Sequence, residues 1–384
     1  MNAIINGKII IGDTLVTDKV LIFREKIIDI IPTSEMNKYP IQHMYDVNGQ
    51  YVSPGFIDIH THGAMGHDVM DGDGEGIKVI AQSYASHGVT GFLPTTMTMD
   101  VGSIEKALGN IKKSAMDEPV GSKILGCHLE GPFISPQNAG AQNANFIQNP
   151  NFQLLEKHKE LIKVVTIAPE LADAEDFIRK CVAYDIVVSI GHSCGTYEDA
   201  IHAIHMGARS ISHTFNAMTP LHHRKPGIIG AAMDKDEIYC ELIADNIHVH
   251  PSVQRILLKI KGIDKVILVT DSMRACGMKN GVYDLGGQTV VVEDNSARLE
   301  NGTLAGSILT INSALNNFKI NTGISIIDAV KTVTENPAKL LKMEDSLGSI
   351  RIGSDSDLVI HDEDFSILLT FVKGKLKYSA GNLK

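Results

Sequence analysis

The sequence predicts an α/β fold, a (β/α)₈ TIM barrel with a small β-sandwich domain assembled from both chain ends. Three observations predict it. Between residues 56 and 270, eight apolar runs of strand length alternate with helical stretches, the pattern of parallel strands joined by crossover helices. The two ends of the 384-residue chain carry only short β-branched runs broken by turn signals. Finally, polar residues gather where the apolar runs stop, and the carboxyl ends of barrel strands are where such folds place their chemistry.

At the amino end, residues 3–5, 8–11, 19–23 and 26–31 are β-branched and apolar, separated by Asn6-Gly7, Gly12-Asp13 and Arg24-Glu25-Lys26. At the carboxyl end, 349–352, 357–360, 367–372 and 375–378 repeat the pattern around Gly348, Gly353 and Gly374. The expected division is a β-domain of residues 1–52 plus 345–384 and a catalytic barrel of 53–344. Barrel strands are expected at 56–60, 89–94, 124–130, 164–168, 186–190, 210–213, 238–244 and 266–270. Helices at 76–87, 103–116, 173–183, 197–206 and 251–261 fall between them, and two more, 309–321 and 326–341, follow the last strand. A doubly wound sheet would share this alternation, but no GxGxxG opens a helix after the first strand.

Composition sets outer limits. Against 35 basic side chains stand 45 acidic ones, a net charge of −10, so nucleic acid is not an expected partner. No apolar run approaches the roughly 18 residues of a membrane-crossing helix, so no membrane partner is expected either. Cys127, Cys181, Cys194, Cys240 and Cys276 are scattered, without a CxxC pair. The start also lacks a basic segment ahead of a long apolar one. Both features suit a cytoplasmic chain with reduced thiols.

Sixteen histidines are present, eight of them between His192 and His250. The first barrel strand ends in His60-Thr61-His62, and residues two apart on a strand point the same way. The third ends in Glu130, the fifth in His192, the sixth in His213, the seventh in Asp245 and the eighth in Asp271. Imidazole with carboxylate suits zinc, iron or cobalt better than magnesium or calcium. These four histidines with two of the carboxylates, Glu130 and Asp271, are enough for one or two divalent ions, which lower the pKa of bound water from about 15.7 towards 7. A lone strand-end histidine is ordinarily just hydrogen-bonded, and HxH alone is a weak signal; their ordered recurrence on different strands is the strong one. Bland readings hold for His202 and His205 on a helix and for His43, His87, His158 and His361. His128 shares the face of Glu130 and either stands behind the ligands or is a satisfied core residue.

The segment Pro54-Gly55-Phe56-Ile57-Asp58-Ile59-His60-Thr61-His62-Gly63 resembles the pattern of the amidohydrolase superfamily. His128-Leu129-Glu130-Gly131-Pro132-Phe133, His213-Thr214-Phe215-Asn216-Ala217-Met218 and His222-His223-Arg224-Lys225-Pro226-Gly227 resemble, within it, the deacetylases of N-acetylglucosamine 6-phosphate. The resemblance implies that Glu130, His192 and His213 hold a metal common to the group. It also implies that His60 and His62 match members with a second one, zinc or iron in either case. Asp271 matches the catalytic acid/base. Asn216 and Ala217 match a loop whose backbone meets the phosphate. Arg224 and His248 match phosphate- and sugar-binding side chains that can come from the partner of a homodimer. Two positions depart from the pattern: Asn246 stands where members often have glycine, and Gln142 where some carry a substrate-contacting histidine.

The expected reaction is hydrolysis of the N-acetyl group of N-acetylglucosamine 6-phosphate, giving glucosamine 6-phosphate and acetate. Asp271 would take the proton of the attacking water and return it to the leaving amine. The substrate is a phosphorylated amino sugar, so the net-acidic chain needs a local cationic patch, for which His222-His223-Arg224-Lys225 is the candidate. The rivals are another amidohydrolase reaction, either deacetylation of an N-acetylgalactosamine phosphate or hydrolysis of a different amide, and a non-enzymatic member that keeps only the barrel.

Overall fold

The computed structural model describes residues 1–381. Its central feature is eight parallel strands: Phe56–Thr61, Val89–Thr96, a third in two pieces (Lys123–Ile124 and Cys127–Glu130), Ile162–Ile167, Val187–Ile190, Ser210–Ile211, Tyr239–Leu242 and Val266–Leu268. Each pairs in parallel with the next in sequence order. Strands covered on both faces read as near-continuous apolar runs, and every residue of the first two strands is buried. Helices cover the outside by their apolar stripes. Val101–Met116, for example, starts at Asp100, whose side chain accepts from Ser103 N–H at 3.0 Å, and buries Ile104, Ala107, Leu108 and Ile111.

The first and eighth strands close the barrel through two sets of bonds. Beyond the carboxyl ends, Asp271 N–H donates to His60 O at 2.8 Å and His62 N–H to Ser272 O at 2.8 Å. Below them, Ile57 N–H at the start of strand one donates to Val333 O at 2.7 Å and Leu268 N–H of strand eight to Thr332 O at 3.1 Å. The segment 332–333 thus wedges between the two strands. It also explains why the helix expected over 326–341 forms as two pieces, Ile326–Lys331 and Glu335–Leu340. The Thr332 and Thr334 hydroxyls bond back to Ala329 O at 2.6 Å and Val330 O at 2.8 Å, and the freed backbone serves the seam.

Both chain ends meet in one of two further sheets, and the amino end alone builds the other. One is ordered Lys375–Ser379, Ile367–Val372, Leu358–His361, Tyr51–Pro54, Lys8–Ile11, Thr14–Val16; the other Ile27–Pro32, Lys19–Phe23, Asn2–Ile5, His43–Asp46. A shared core that includes Ile4, Ile9, Phe23, Val52, Leu358 and Phe371 joins them. The Phe371 ring meets Phe23 edge-on at 5.3 Å and Tyr45 at 4.9 Å.

Several elements differ from expectation. The run 349–352 is not a strand: Ser354 Oγ donates to Ser349 O at 3.1 Å and Arg351 O at 2.7 Å, folding the segment into a turn. The third strand breaks at Gly126, whose φ of 152° leaves the usual range of other residues. Strands Thr14–Val16, His43–Asp46 and Tyr51–Pro54, the helix Gly227–Asp234 and the meander Gly281–Leu285, Gln288–Glu293, Ser296–Leu299 were not anticipated. Among the described residues, no helix is long and apolar enough to cross a membrane.

Phe371→Ala should destabilise the protein by about 3–5 kcal/mol, read as a lowered chemical-denaturation midpoint. A shift near zero would show that the two terminal sheets do not depend on this contact.

Candidate metal centre

The strand ends deliver their polar residues to one point. Three of them sit in left-handed backbone just past the strand: His192 at φ 47°, His213 at 27° and Asp271 at 47°. Such conformations cost non-glycine residues energy and persist where the surroundings fix them. Here each residue bends away from its ladder and turns its side chain over the barrel mouth. The Asp58 carboxylate accepts from the Thr270 hydroxyl at 2.6 Å, tying strand one to strand eight beneath the site. Burial raises its pKa to about 6, against the hydrogen bond from Thr270.

Glu130, 2% exposed, is the hub. Its Oε1 lies 3.1 Å from His60 Nε2, 3.3 Å from His192 Nε2 and 3.0 Å from His213 Nε2. His192 and His213 Nε2 are 3.0 Å apart. An ion about 2.0–2.1 Å from tetrahedral ligands holds them about 3.3 Å from one another, so these separations are close to a ligand shell. The second oxygen, Oε2, is 3.3 Å from His62 Nε2, which also lies 3.2 Å from Asp271 Oδ1. His60 with Glu130 and His213, and His60 with His62 and Asp271, form two adjoining groups able to hold a divalent ion.

The imidazoles are oriented from behind. His62 Nδ1 donates to Thr95 O at 3.1 Å and His192 Nδ1 to Asn138 O at 2.9 Å. A carbonyl only accepts, so the neutral rings turn bare Nε2 lone pairs toward carboxylate oxygens. That contact is repulsive unless protons or a cation lie between. His60 Nε2 is buried without a hydrogen-bond partner despite its approach to Glu130. With only protein groups nearby, the centre gathers protons. Burial works against the His62 charge, yet the hydrogen bonds it donates to the Asp271 and Glu130 carboxylates lift its pKa to about 10. Burial would likewise raise Asp271, but the His62 hydrogen bond and the His60 charge hold it near 2. Four imidazoles and two ionised carboxylates fit a divalent zinc- or iron-type ion.

Two further residues belong to the centre, and of these the sequence marks only Gln142, as a departure from the family pattern. Glu241 is fully buried on strand seven; its Oε2 lies 2.8 Å from His60 Nδ1 and accepts His213 N–H at 3.1 Å. A carboxylate inside the apolar run 238–244 was the available signal. Gln142 donates from Nε2 to Glu130 Oε2 at 2.7 Å. His128 is a satisfied core residue: Nδ1 reaches Ile59 O at 3.0 Å and Nε2 reaches Thr166 Oγ1 at 2.7 Å. Burial, followed by the charge of His60, lowers its pKa to about 4.

Above the cluster opens a cleft of 670 Å³ whose walls include Asn216, Ala217 and His248. The Asn216 amide donates to His213 O at 3.1 Å, and His248 Nδ1 lies 2.6 Å from Asp245 Oδ2. Asn246 takes φ 68°, a left-handed turn that asparagine tolerates, and its side-chain oxygen accepts from Asn321 at 2.6 Å. The turn before His248 therefore forms without glycine. Arg224 does not reach this cleft. It sits in an exposed loop, its guanidinium 2.7 Å from His223 Nε2. Arg298, brought by the meander, does line the cleft, and no strand-end signal pointed to it.

The model of the Amidohydrolase family matches residues 51–377. The N-acetylglucosamine-6-phosphate deacetylase of Bacillus subtilis (strain 168) is 41% identical over 332 residues, 85% of this chain and 84% of the relative. The N-acetylgalactosamine-6-phosphate deacetylase of Escherichia coli O157:H7 is 33% identical over 333 residues, 86% of this chain and 88% of the relative. The crystal structure of N-acetylglucosamine-6-phosphate deacetylase from Pasteurella multocida superimposes with a TM-score of 0.93 at 29% identity, covering 98% of this chain and 99% of the other.

Two outcomes are expected. Glu241→Leu should weaken zinc binding roughly 10–100-fold, by chelator competition, because His60 loses the group that orients it; unchanged binding would make Glu241 a packing residue only. Zinc must displace protons held above the usual imidazole range, so uptake should release protons and tighten from about pH 6 to 8. Calorimetry in buffers of different ionisation enthalpy reads this, and proton-neutral uptake would contradict it.

Proposed function

The chain belongs to the amidohydrolase family, whose members are metal-dependent hydrolases, and we propose that it deacetylates N-acetylglucosamine 6-phosphate, releasing acetate and glucosamine 6-phosphate. The observation that carries this reading is the imidazole–carboxylate cluster at the floor of a cleft, with Asp271 beside it. Likeness to the named deacetylases over most of the chain supports it.

Glu130, His192 and His213 would hold one ion, with His60 and His62 completing a second position, so one or two zinc or iron ions per chain are proposed. Such an ion supplies acidity to a bound water, whose pKa falls towards about 7, and polarises the substrate carbonyl. The rest falls to side chains. Asp271, held ionised by its imidazole neighbours, accepts the proton of the attacking water. It then returns that proton to the amide nitrogen, since an amine leaves poorly unless protonated. Asn216, Ala217 and His248 line the wall that would receive the sugar phosphate.

Arg224 lies outside the cleft of its own chain, so its proposed contact with phosphate requires a second copy and makes the working unit a homodimer. On the same reading, residues 53–344 form the catalytic domain and 1–52 with the stretch from 345 onward the β-domain. The five unpaired cysteines suit a cytoplasmic enzyme. The Escherichia coli relative motivates one second reading, the same hydrolysis on the galactosamine epimer.

The purified protein should release acetate from N-acetylglucosamine 6-phosphate, and Asp271→Asn should lower kcat by about 10²–10⁴ while metal content is retained. A panel of phosphorylated and free N-acetyl sugars decides the substrate. Preference for the galacto epimer would favour the second reading, and turnover of free sugar alone would remove the phosphate assignment.

A further inference from the structure

Gln142 lies at the cleft floor but is only 5% exposed, and both ends of its amide are engaged. Its Oε1 accepts from Thr98 N–H at 2.7 Å, and its Nε2 donates to Glu130 Oε2 at 2.7 Å. A backbone N–H can only donate, so Thr98 fixes which way the amide faces. The backbone carrying it is also held: Gln142 N–H donates to Ala139 O at 2.9 Å, and Ala141 O accepts from the Gln288 side chain.

The two oxygens of Glu130 therefore have different surroundings. Oε1 faces the Nε2 atoms of His60, His192 and His213 at 3.0–3.3 Å, while Oε2 is held by the amide. A carboxylate rotates about its last torsion in a broad, two-fold well, so the amide decides the plane in which Oε1 is offered. A neutral donor suits this position. Lysine or arginine there would put like charge beside a metal ion, and a second carboxylate would repel Glu130.

We propose that Gln142 is a positioning residue for Glu130, an amide clamp anchored on Thr98 that aims Oε1 at the imidazole cluster and thereby sets metal affinity. It is not a reader of the substrate; so little of the amide is exposed that it has little surface to offer one. The inference rests on the reading that Glu130 holds the metal.

The test is zinc affinity by competition with a chromophoric chelator, together with KM and kcat at saturating zinc. Gln142→Met keeps the volume and removes the donor. Gln142→Glu keeps the acceptor for Thr98 but sets carboxylate against carboxylate, and thermal melts confirm that both variants fold. Zinc affinity should fall about 10–100-fold in Gln142→Met and further in Gln142→Glu, with KM for N-acetylglucosamine 6-phosphate at saturating zinc within about twofold of wild type. Wild-type zinc affinity with a raised KM in Gln142→Met would overturn the proposal and make the side chain a substrate contact. Wild-type affinity in Gln142→Glu would overturn it equally. Glu130→Gln separates the two readings: if it too retains zinc, Glu130 is not a ligand and the underlying assignment fails; if it alone loses zinc, only the role of Gln142 fails.

Discussion

A carboxylate buried at the centre of a barrel mouth is the constraint around which this protein is arranged. An ion removed from water carries a penalty of several kcal/mol unless its surroundings compensate it, and Glu130 is almost wholly enclosed. Four imidazoles, two from alternate positions at the end of strand one and two from other points on the rim, converge on its two oxygens. Those imidazoles need their own partners: carbonyls of Thr95 and Asn138 for two of them, and the buried carboxylate of Glu241 for a third. Compensation thus spreads outward until it reaches backbone fixed by the barrel ladders.

The barrel supplies that fixity through its seam. Strand one contributes His60 and His62, strand eight leads to Asp271, and the bonds joining the two strands run through these same residues. Closure and assembly of the site are therefore one event. The helix interruption around Thr332 belongs to the same device, since the carbonyls of 332 and 333 accept from strands eight and one where those strands do not pair with each other. A continuous helix over this stretch would satisfy itself and leave the seam open.

Much of this was legible in the sequence because it is written in short-range patterns. Period-two spacing put His60 and His62 on one side, and the stops of apolar runs located Glu130, His192, His213 and Asp271. What escaped detection acts across distance. Glu241 reads as an oddity in an apolar strand until His60, 181 residues away, supplies the reason. Gln142 stands out only as a departure from the family pattern, and in its irregular loop no periodicity shows that its amide meets Glu130. The run 349–352 has strand composition, but serine hydroxyl bonds to its own carbonyls decide its conformation. Arg298 arrives on a meander that no alternation with helices announces.

Electrostatics links the centre to the cleft above it. The proposed substrate, a phosphate ester, carries about two negative charges at neutral pH, while the chain has a net charge of −10. At physiological salt, interactions beyond about 8 Å are largely screened, so the overall balance matters less than the cleft itself. There the protein presents two carboxylates, Glu130 and Asp271, and Arg298 as the only arginine or lysine among the described lining residues. Protons on the imidazoles could balance the carboxylates, but they would also occupy the lone pairs that a dication needs. A divalent ion relieves both demands at once: it neutralises the buried anions and returns the imidazoles to their neutral form. The same replacement would leave Asp271 ionised, so the charge that would let the cleft tolerate an anion would also prepare the group proposed to move the proton.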